Sequence, residues 1–241
     1  MKLCALVLAA AACGDNSRAP DPLAYDWDDR RVLCSQPIDD YEVPLDFGNI
    51  DFELSTAAKN GYVAIIHAHV PTETIALATL EHVFELADHY NLTYFTFREL
   101  VPSATPVGGL AFAFDDNSPD QWMLARDMLN AHGAKITLFV TRWTDMTDAE
   151  HAEIATLHAD GHDVEPHTVN HLHGADYVAQ YGLDAYMADE VLPSFTVLTD
   201  AGYPTPVAFA YPFGDHTPEM DAAILPYVNT VRTTPGPCPN Y

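Results

Sequence analysis

The chain has 241 residues, enough for one α/β domain with a sizeable core, and its hydrophobic content of 48% places it among globular rather than disordered proteins. Asp and Glu number 35 against 10 Lys and Arg, for a formal net charge of -25. That excludes nucleic acid and anionic membrane surfaces as partners, because phosphate binding requires clustered cations. The excess acid is spread along the chain, as on a soluble, self-repelling surface.

Met1 and Lys2 precede an apolar run from Leu3 to Ala12, too short to span a bilayer as a mature helix. Cys13 and Gly14 follow small residues directly. This resembles a bacterial lipoprotein signal in which Cys13 becomes the lipidated N-terminus, although Ala10 stands where that motif prefers Leu. The competing reading is an ordinary secretory signal cut nearby. Both predict export, as a cell-envelope lipoprotein or to the periplasm or medium, with any membrane contact made through the lipid alone. Cys4 then leaves with the signal and Cys13 takes lipid, so an oxidising compartment favours a disulfide between Cys34 and Cys238.

Residues 14–35 are polar, acidic and irregular, and read as a tether and lead-in segment. From there strand and helix patterns alternate. Gly61 to Ile66 is a buried strand, Thr74 to His89 an amphipathic helix with Leu77, Leu80, Phe84 and Ala87 on one face, and Leu92 to Phe97 a strand. Val101 to Gly109, with two Pro and two Gly, is a loop. Leu110 to Phe114 is a strand, Pro119 to His132 a helix closed by Gly133, and Lys135 to Val140 a strand. Thr147 and Glu150 form a capping box that opens a helix ending near Gly161. A short strand runs from Gly161 to Pro166, a helix covers roughly 184–201, Pro206 to Tyr211 is a strand, Thr217 and Pro218 open a short helix, and Val228 to Arg232 is a strand. Repeated βα units of this length imply a parallel sheet with helices outside, as barrel or open sheet.

Two of these strands end on chemistry. The run to Phe114 stops at Asp115 and Asp116, and the short strand to Pro166 stops at His167, followed by Thr168, Val169, Asn170 and His171. One aspartate and two imidazoles can hold a divalent metal with a position open for water. The second aspartate is then free to act as a base on that water. Neither half is decisive alone in a chain with 12 His, but both stand where parallel α/β folds gather catalytic groups.

These residues resemble the polysaccharide deacetylases with a NodB-type domain, carbohydrate esterase family 4. The family's T-F-D-D motif is represented by Ala113, Phe114, Asp115 and Asp116, and its H-[ST]-x-x-H motif is met in full by His167 to His171. Its R-x-P-x-G motif corresponds to Ala210, Tyr211, Pro212, Phe213 and Gly214, with the Arg absent. The resemblance implies a NodB-like distorted (β/α) barrel of parallel strands with outer helices, over a catalytic domain spanning 36–241. The family's late elements lie in front here. Gly61 to His69 resembles its late strand and histidine, Thr74 onward its following helix, and Tyr94 to Leu100 its ending. The order is therefore that of a circular permutation, with the old termini joined through Val101–Gly109; a truncated domain behind an unrelated N-terminal part is the rival reading.

By resemblance Asp116, His167 and His171 bind the metal, zinc or another divalent ion such as cobalt or nickel, and Asp115 is the general base. The metal and the backbone N–H of Tyr211, beside Pro212 and Gly214, stabilise the oxyanion. The late histidine protonates the leaving amine, and His67 and His69 both qualify: the spacing from Ile65 favours His67, while His69 lies nearer the strand end. Arg232 and Arg142 are the candidates to replace the missing Arg at Ala210. For the family's D-x-D-W motif only Asp46 and Asp51 offer weak candidates. His162, Glu165 and His173 read as supporting or surface groups, and Trp122 and Trp143 as core rather than sugar platforms. The expected reaction is hydrolysis of N-acetyl groups on an amino-sugar polymer such as peptidoglycan, a chitin-like chain or poly-N-acetylglucosamine. The alternatives are an O-acetyl xylan esterase of the same fold and a non-catalytic carbohydrate-binding envelope lipoprotein.

Overall fold

The computed structural model describes residues 24–40, 47–103 and 105–235. The strands are β1 (Ala24–Tyr25), β2 (Val32–Cys34), β3 (Gln36–Pro37), β4 (Val63–Ala68), β5 (Thr93–Tyr94), β6 (Gly109–Asp116), β7 (Thr137–Val140), β8 (Asp163–Pro166), β9 (Ala208–Ala210) and β10 (Thr230–Thr233). The helices are α1 (Phe47–Asn60), α2 (Leu77–His89), α3 (Pro119–Trp122), α4 (Arg126–Ala131), α5 (Asp148–Ala159), α6 (Gly174–Tyr181), α7 (Leu183–Tyr186), α8 (Leu192–Asp200) and α9 (Pro218–Ile224). One sheet runs β1-β4-β6-β7-β8, with β3 added on β4 and β5 on β6; a second runs β2-β10-β9. All these pairings are parallel except β1 with β4.

The two sheets curl into the distorted barrel that the motifs imply. At one seam the chain itself crosses over: β2 pairs with β10, and two residues later β3 pairs with β4. At the other seam β8 and β9 are joined through a side chain, since Oε2 of buried Glu165 accepts the N–H groups of Val207 (3.0 Å) and Ala208 (3.1 Å). Alternation along each strand sorts the side chains. Val63, Ile65, Ala111, Ala113, Phe139, Ala208 and Ala210 fill the barrel, while Ala64, Ile66, Leu110, Phe112, Phe114, Leu138 and Val164 face the helices. Strands covered on both faces read as unbroken apolar runs, which is why β4 and β6 are legible in the sequence.

The elements differ from the sequence reading where a polar side chain finds a better local partner. Thr74 does not begin α2; its hydroxyl hydrogen-bonds Asp39, and the helix starts at Leu77. β5 stops at Tyr94 because Thr96 and Glu99 form a capping box around a 3-10 turn at Phe97–Glu99. The expected box at Thr147 and Glu150 opens α5. The helix expected over 184–201 is interrupted by a wide turn at Met187–Val191, before Pro193, whose ring nitrogen cannot donate to the helix. Helix α1, unread in the sequence, buries only Ile50, Leu54 and Ala57.

The lead-in segment also extends less far than its polarity suggests. Residues 24–35 belong to the barrel: Tyr25, Leu33 and Cys34 are buried, and the Trp27 indole donates to the carbonyls of Gly61 (2.9 Å) and Val107 (3.0 Å). The acidic run is locally neutralised, Arg30 bridging Asp26 and Asp28. Cys34 is disulfide-bonded; Cys238, Cys13 and the signal region 1–13 lie outside the described residues.

Candidate active site

His67 and His69, Asp115 and Asp116, and His167 to His171 stand at the C-terminal ends of β4, β6 and β8, and the register places these ends side by side. They line a cavity of about 580 Å³. Backbone turns aim them inward. Adjacent strand residues normally face opposite ways, but Asp116 has φ 85°, in the left-handed region, so its carboxylate joins that of Asp115 on the cavity side. Thr168 (φ 67°), His171 (φ 56°) and Phe213 (φ 59°) are turned likewise. Such backbone, costly for non-glycine residues, concentrates at functional sites.

Oδ1 of Asp116 lies 3.0 Å from Nε2 of His171 and 3.7 Å from Nε2 of His167. Nδ1 of His167 is 2.8 Å from the carbonyl oxygen of Ala210 and donates to it, which leaves Nε2 as a lone pair facing the aspartate. This is how metal-ligating histidines are usually held. Burial pushes the pKa of His167 down to about 4, so the ring is neutral, as a ligand must be. Burial works against ionised Asp116, but the hydrogen bond to His171 and the nearby His167 hold its carboxyl well below the usual range. The three donors fit a divalent cation in type and convergence.

Asp115 is almost fully buried, its Oδ2 bonded by the guanidinium of Arg232. Burial raises its pKa and Arg232 more than offsets this, so the carboxylate stays ionised. The register explains the missing motif arginine: Arg232 on β10 pairs directly with Ala210 on β9. The cation stands one strand to the side of the motif position. Arg142, the other candidate, follows β7 with a left-handed φ of 49° and donates its N–H to Val169.

The two candidate acids separate clearly. His67 is buried, with Nδ1 2.7 Å from Oγ of Ser35, and burial followed by Arg232 holds its pKa well below the ordinary value. His69 is reachable from the cavity, and its Nδ1 lies 2.6 Å from Oδ2 of buried Asp39. Burial opposes its charge, yet Asp39 pushes its pKa up to about 9. The preference for His67 from the strand spacing is therefore corrected to His69: only this ring carries a proton to give at neutral pH. Asp39 was unread in the sequence. Of the weak candidates, Asp46 lies outside the described residues and Asp51, on α1, accepts the hydroxyl of Tyr90 from the end of α2.

The oxyanion donor is also corrected. The N–H of Tyr211 is spent in the sheet ladder, donating to the carbonyl of Arg232 at 3.0 Å, and its hydroxyl binds Asp221. Two residues on, the N–H of Phe213 has no acceptor among the described residues, in the cavity wall at the start of a 3-10 turn opened by Pro212. Gly214 is required there, since a Cβ would lie 2.3 Å from Oγ1 of Thr234.

The sequence model of the family described as polysaccharide deacetylase matches residues 103–227. The chain belongs to the polysaccharide deacetylase family. It is accordingly a deacetylase-type hydrolase of a family that acts on carbohydrate. Among solved structures, a polysaccharide deacetylase from Bacillus cereus is similar at 18% identity and a TM-score of 0.57, covering 71% of this chain and 57% of that one. The BpsB deacetylase domain from Bordetella bronchiseptica is similar at 12% identity and a TM-score of 0.53, covering 89% of this chain and 96% of that one. Both likenesses speak to the fold. No curated protein matches the sequence. The family match takes in Asp115, Asp116, His167 and His171; it stops short of Arg232 and leaves Asp39, His67 and His69 in front.

Supporting groups in this polysaccharide deacetylase come from unexpected places. Glu190, buried in the wide turn before α8, accepts the N–H of Asn170 (2.9 Å) and its side-chain amide (2.6 Å), fixing the loop that carries both histidines. Trp122 is core, as its sequence context suggests, and donates to the carbonyl of His69 at 2.8 Å. Trp143 stacks on His151. His173 stacks on Phe213 with ring centroids 3.9 Å apart.

Proposed function

We propose that the protein is a metal-dependent deacetylase that removes N-acetyl groups from an amino-sugar polymer, with zinc or a similar divalent ion held by Asp116, His167 and His171. The observation that carries this reading is the meeting, in one cavity, of a three-donor set, an ionised carboxylate and a protonated histidine, at Asp116, Asp115 and His69. A cation bound there supplies Lewis acidity, polarising the acetyl carbonyl and acidifying water. Asp115 takes the proton of the attacking water, and Arg232 keeps Asp115 ionised and pointed into the cavity. The N–H of Phe213 meets the negative charge that develops on the carbonyl oxygen. His69, charged through Asp39, gives its proton to the departing amine as the C–N bond breaks, yielding acetate and a free amino sugar.

The test is acetate release from chitin oligomers and peptidoglycan fragments, before and after chelation and after zinc is restored. Release that chelation abolishes and zinc recovers is expected. Release only from acetylated xylan would replace the amide substrate with an ester, and no release from any of them would leave a binding role.

Two further expectations belong to this reading. The family match begins at 103 while His69 and Asp39 stand before it, which supports a circularly permuted chain. A gene reopened between Val101 and Gly108, with the present ends joined, should still yield a protein that unfolds cooperatively. The Cys13 signal supports a lipid-anchored envelope protein. Radiolabelled palmitate should enter the chain and fail to enter Cys13→Ala. No helix among the described residues is long and apolar enough to cross a membrane.

A further inference from the structure

His67 has no part in the reaction just described, although it is buried at the wall of the same cavity. We propose that His67, His69 and Asp115 form a second divalent-cation site, and that filling it switches the enzyme off. The proposal rests on the deacetylase reading, because two of its ligands are the base and the acid of that reaction.

The ligand atoms of these three residues lie within 4.8 Å of one another, close enough to converge on one ion. Each is prepared for it. Nδ1 of His67 is held by Oγ of Ser35 at 2.7 Å and Nδ1 of His69 by Oδ2 of Asp39 at 2.6 Å, so Nε2 is the atom each ring would offer, and His69 gives up the proton it carries there as the ion binds. Metal-binding histidines are oriented in this way, and Ala210 does the same for His167 at the first site. Asp115 supplies the decisive atom. Its Oδ2 is engaged by Arg232, while Oδ1 is buried with no hydrogen-bond partner. A buried carboxylate oxygen without a partner is costly, and a cation satisfies it.

Two imidazoles and one carboxylate suit zinc, cobalt or nickel rather than magnesium or calcium. The charge of Arg232, and that of an ion at Asp116, oppose a second cation, so this site fills only at higher concentration than the first. Once filled, it occupies the lone pairs that Asp115 needs to take a proton and ties down His69. Excess metal therefore inhibits.

Equilibrium dialysis of the full domain against zinc tests this, with acetate release measured in parallel. Two zinc ions per chain are expected at saturation, one in His67→Asn and one in Asp116→Ala. Acetate release by the native protein should rise with the first equivalent and be mostly lost as the second binds, while His67→Asn should keep its own maximal rate in the same excess. A cobalt titration of the native protein, read by its visible absorption, should show two steps and needs no variant. A single ion that Asp116→Ala removes and His67→Asn keeps would overturn the second site and leave the deacetylase reading intact. Two ions that both persist in His67→Asn would overturn it equally. A single ion removed by His67→Asn but not by Asp116→Ala would instead overturn the assignment of the first site.

Discussion

Arg232 reaches Asp115 from the strand beside the one that the family motif would use, 117 residues away in sequence. Removing it leaves a buried carboxylate unpaired, a change that typically costs about 3–5 kcal/mol. Arg232→Ala should therefore be strongly destabilised. Its kcat should fall with little change in KM, and the acidic limb of the rate profile should move to higher pH as the pKa of Asp115 rises. Because Ala210 is the register partner of Arg232, the double variant Ala210→Arg with Arg232→Ala should recover part of both losses. Failure of that rescue would count against a displaced motif arginine.

Asp39 sets the proton on His69. A pKa pushed up to about 9 keeps the ring charged below that pH, so activity that needs this acid is present at neutral pH and lost as pH rises through the shifted value. In Asp39→Asn the pKa should fall back toward the ordinary 6.5 or lower. At pH 8 only about 3% of the acid would then be protonated, a loss of roughly thirtyfold in rate. NMR titration of the His69 ring in the metal-free protein, native and variant, measures the shift directly.

Glu165 closes the open seam of the barrel. Glu165→Ala would orphan the N–H groups of Val207 and Ala208 and release one arm of Arg98. Urea denaturation should show a loss on the order of 3 kcal/mol. A change below about 0.5 kcal/mol would mean that the seam is held by other contacts.

His162 lies far from the reaction and predicts an acid limit on stability. Its Nδ1 accepts the N–H of Ile136, and burial depresses its pKa from 6.5 to about 4. The unfolded chain takes up a proton below 6.5 and the native one does not until about 4, so its contribution is full above 6.5 and lost as pH falls toward 4. The loss is about 1.4 kcal/mol per pH unit in that window. His162→Asn, which keeps an acceptor for Ile136, should flatten the fall in stability between pH 7 and 4.5 relative to the native protein.

What could be read beforehand follows the range of the interactions. Asp115 and Asp116 are adjacent and close the apolar run of β6, and His167 and His171 stand four apart directly after the short β8, so each half is a local pattern. Asp39 and Arg232 act on residues 30 and 117 positions away, through the pairing of β3 with β4 and the register of β10 against β9. Register is not written in composition. Residues 24–35 looked irregular because their charges neutralise one another locally, Arg30 against Asp26 and Asp28, and hide short strands. The N–H of Phe213 could not be found from side-chain chemistry at all, because the reactive group belongs to the backbone.

The turn at Asp116 has one more consequence. The group that holds the ion and the group that moves the proton share a single peptide link, and neighbouring Cα atoms are separated by about 3.8 Å whatever the rest of the molecule does. Loop motion, loosened packing or drift in the outer helices can change how substrate enters. None of them can change the spacing of these two Cα atoms, and the left-handed φ of Asp116, with the contacts of Arg232 and His171, then sets where the carboxylates lie. The backbone anchor of both groups is thus entrusted to covalent bonds, the part of a protein least sensitive to temperature and mutation.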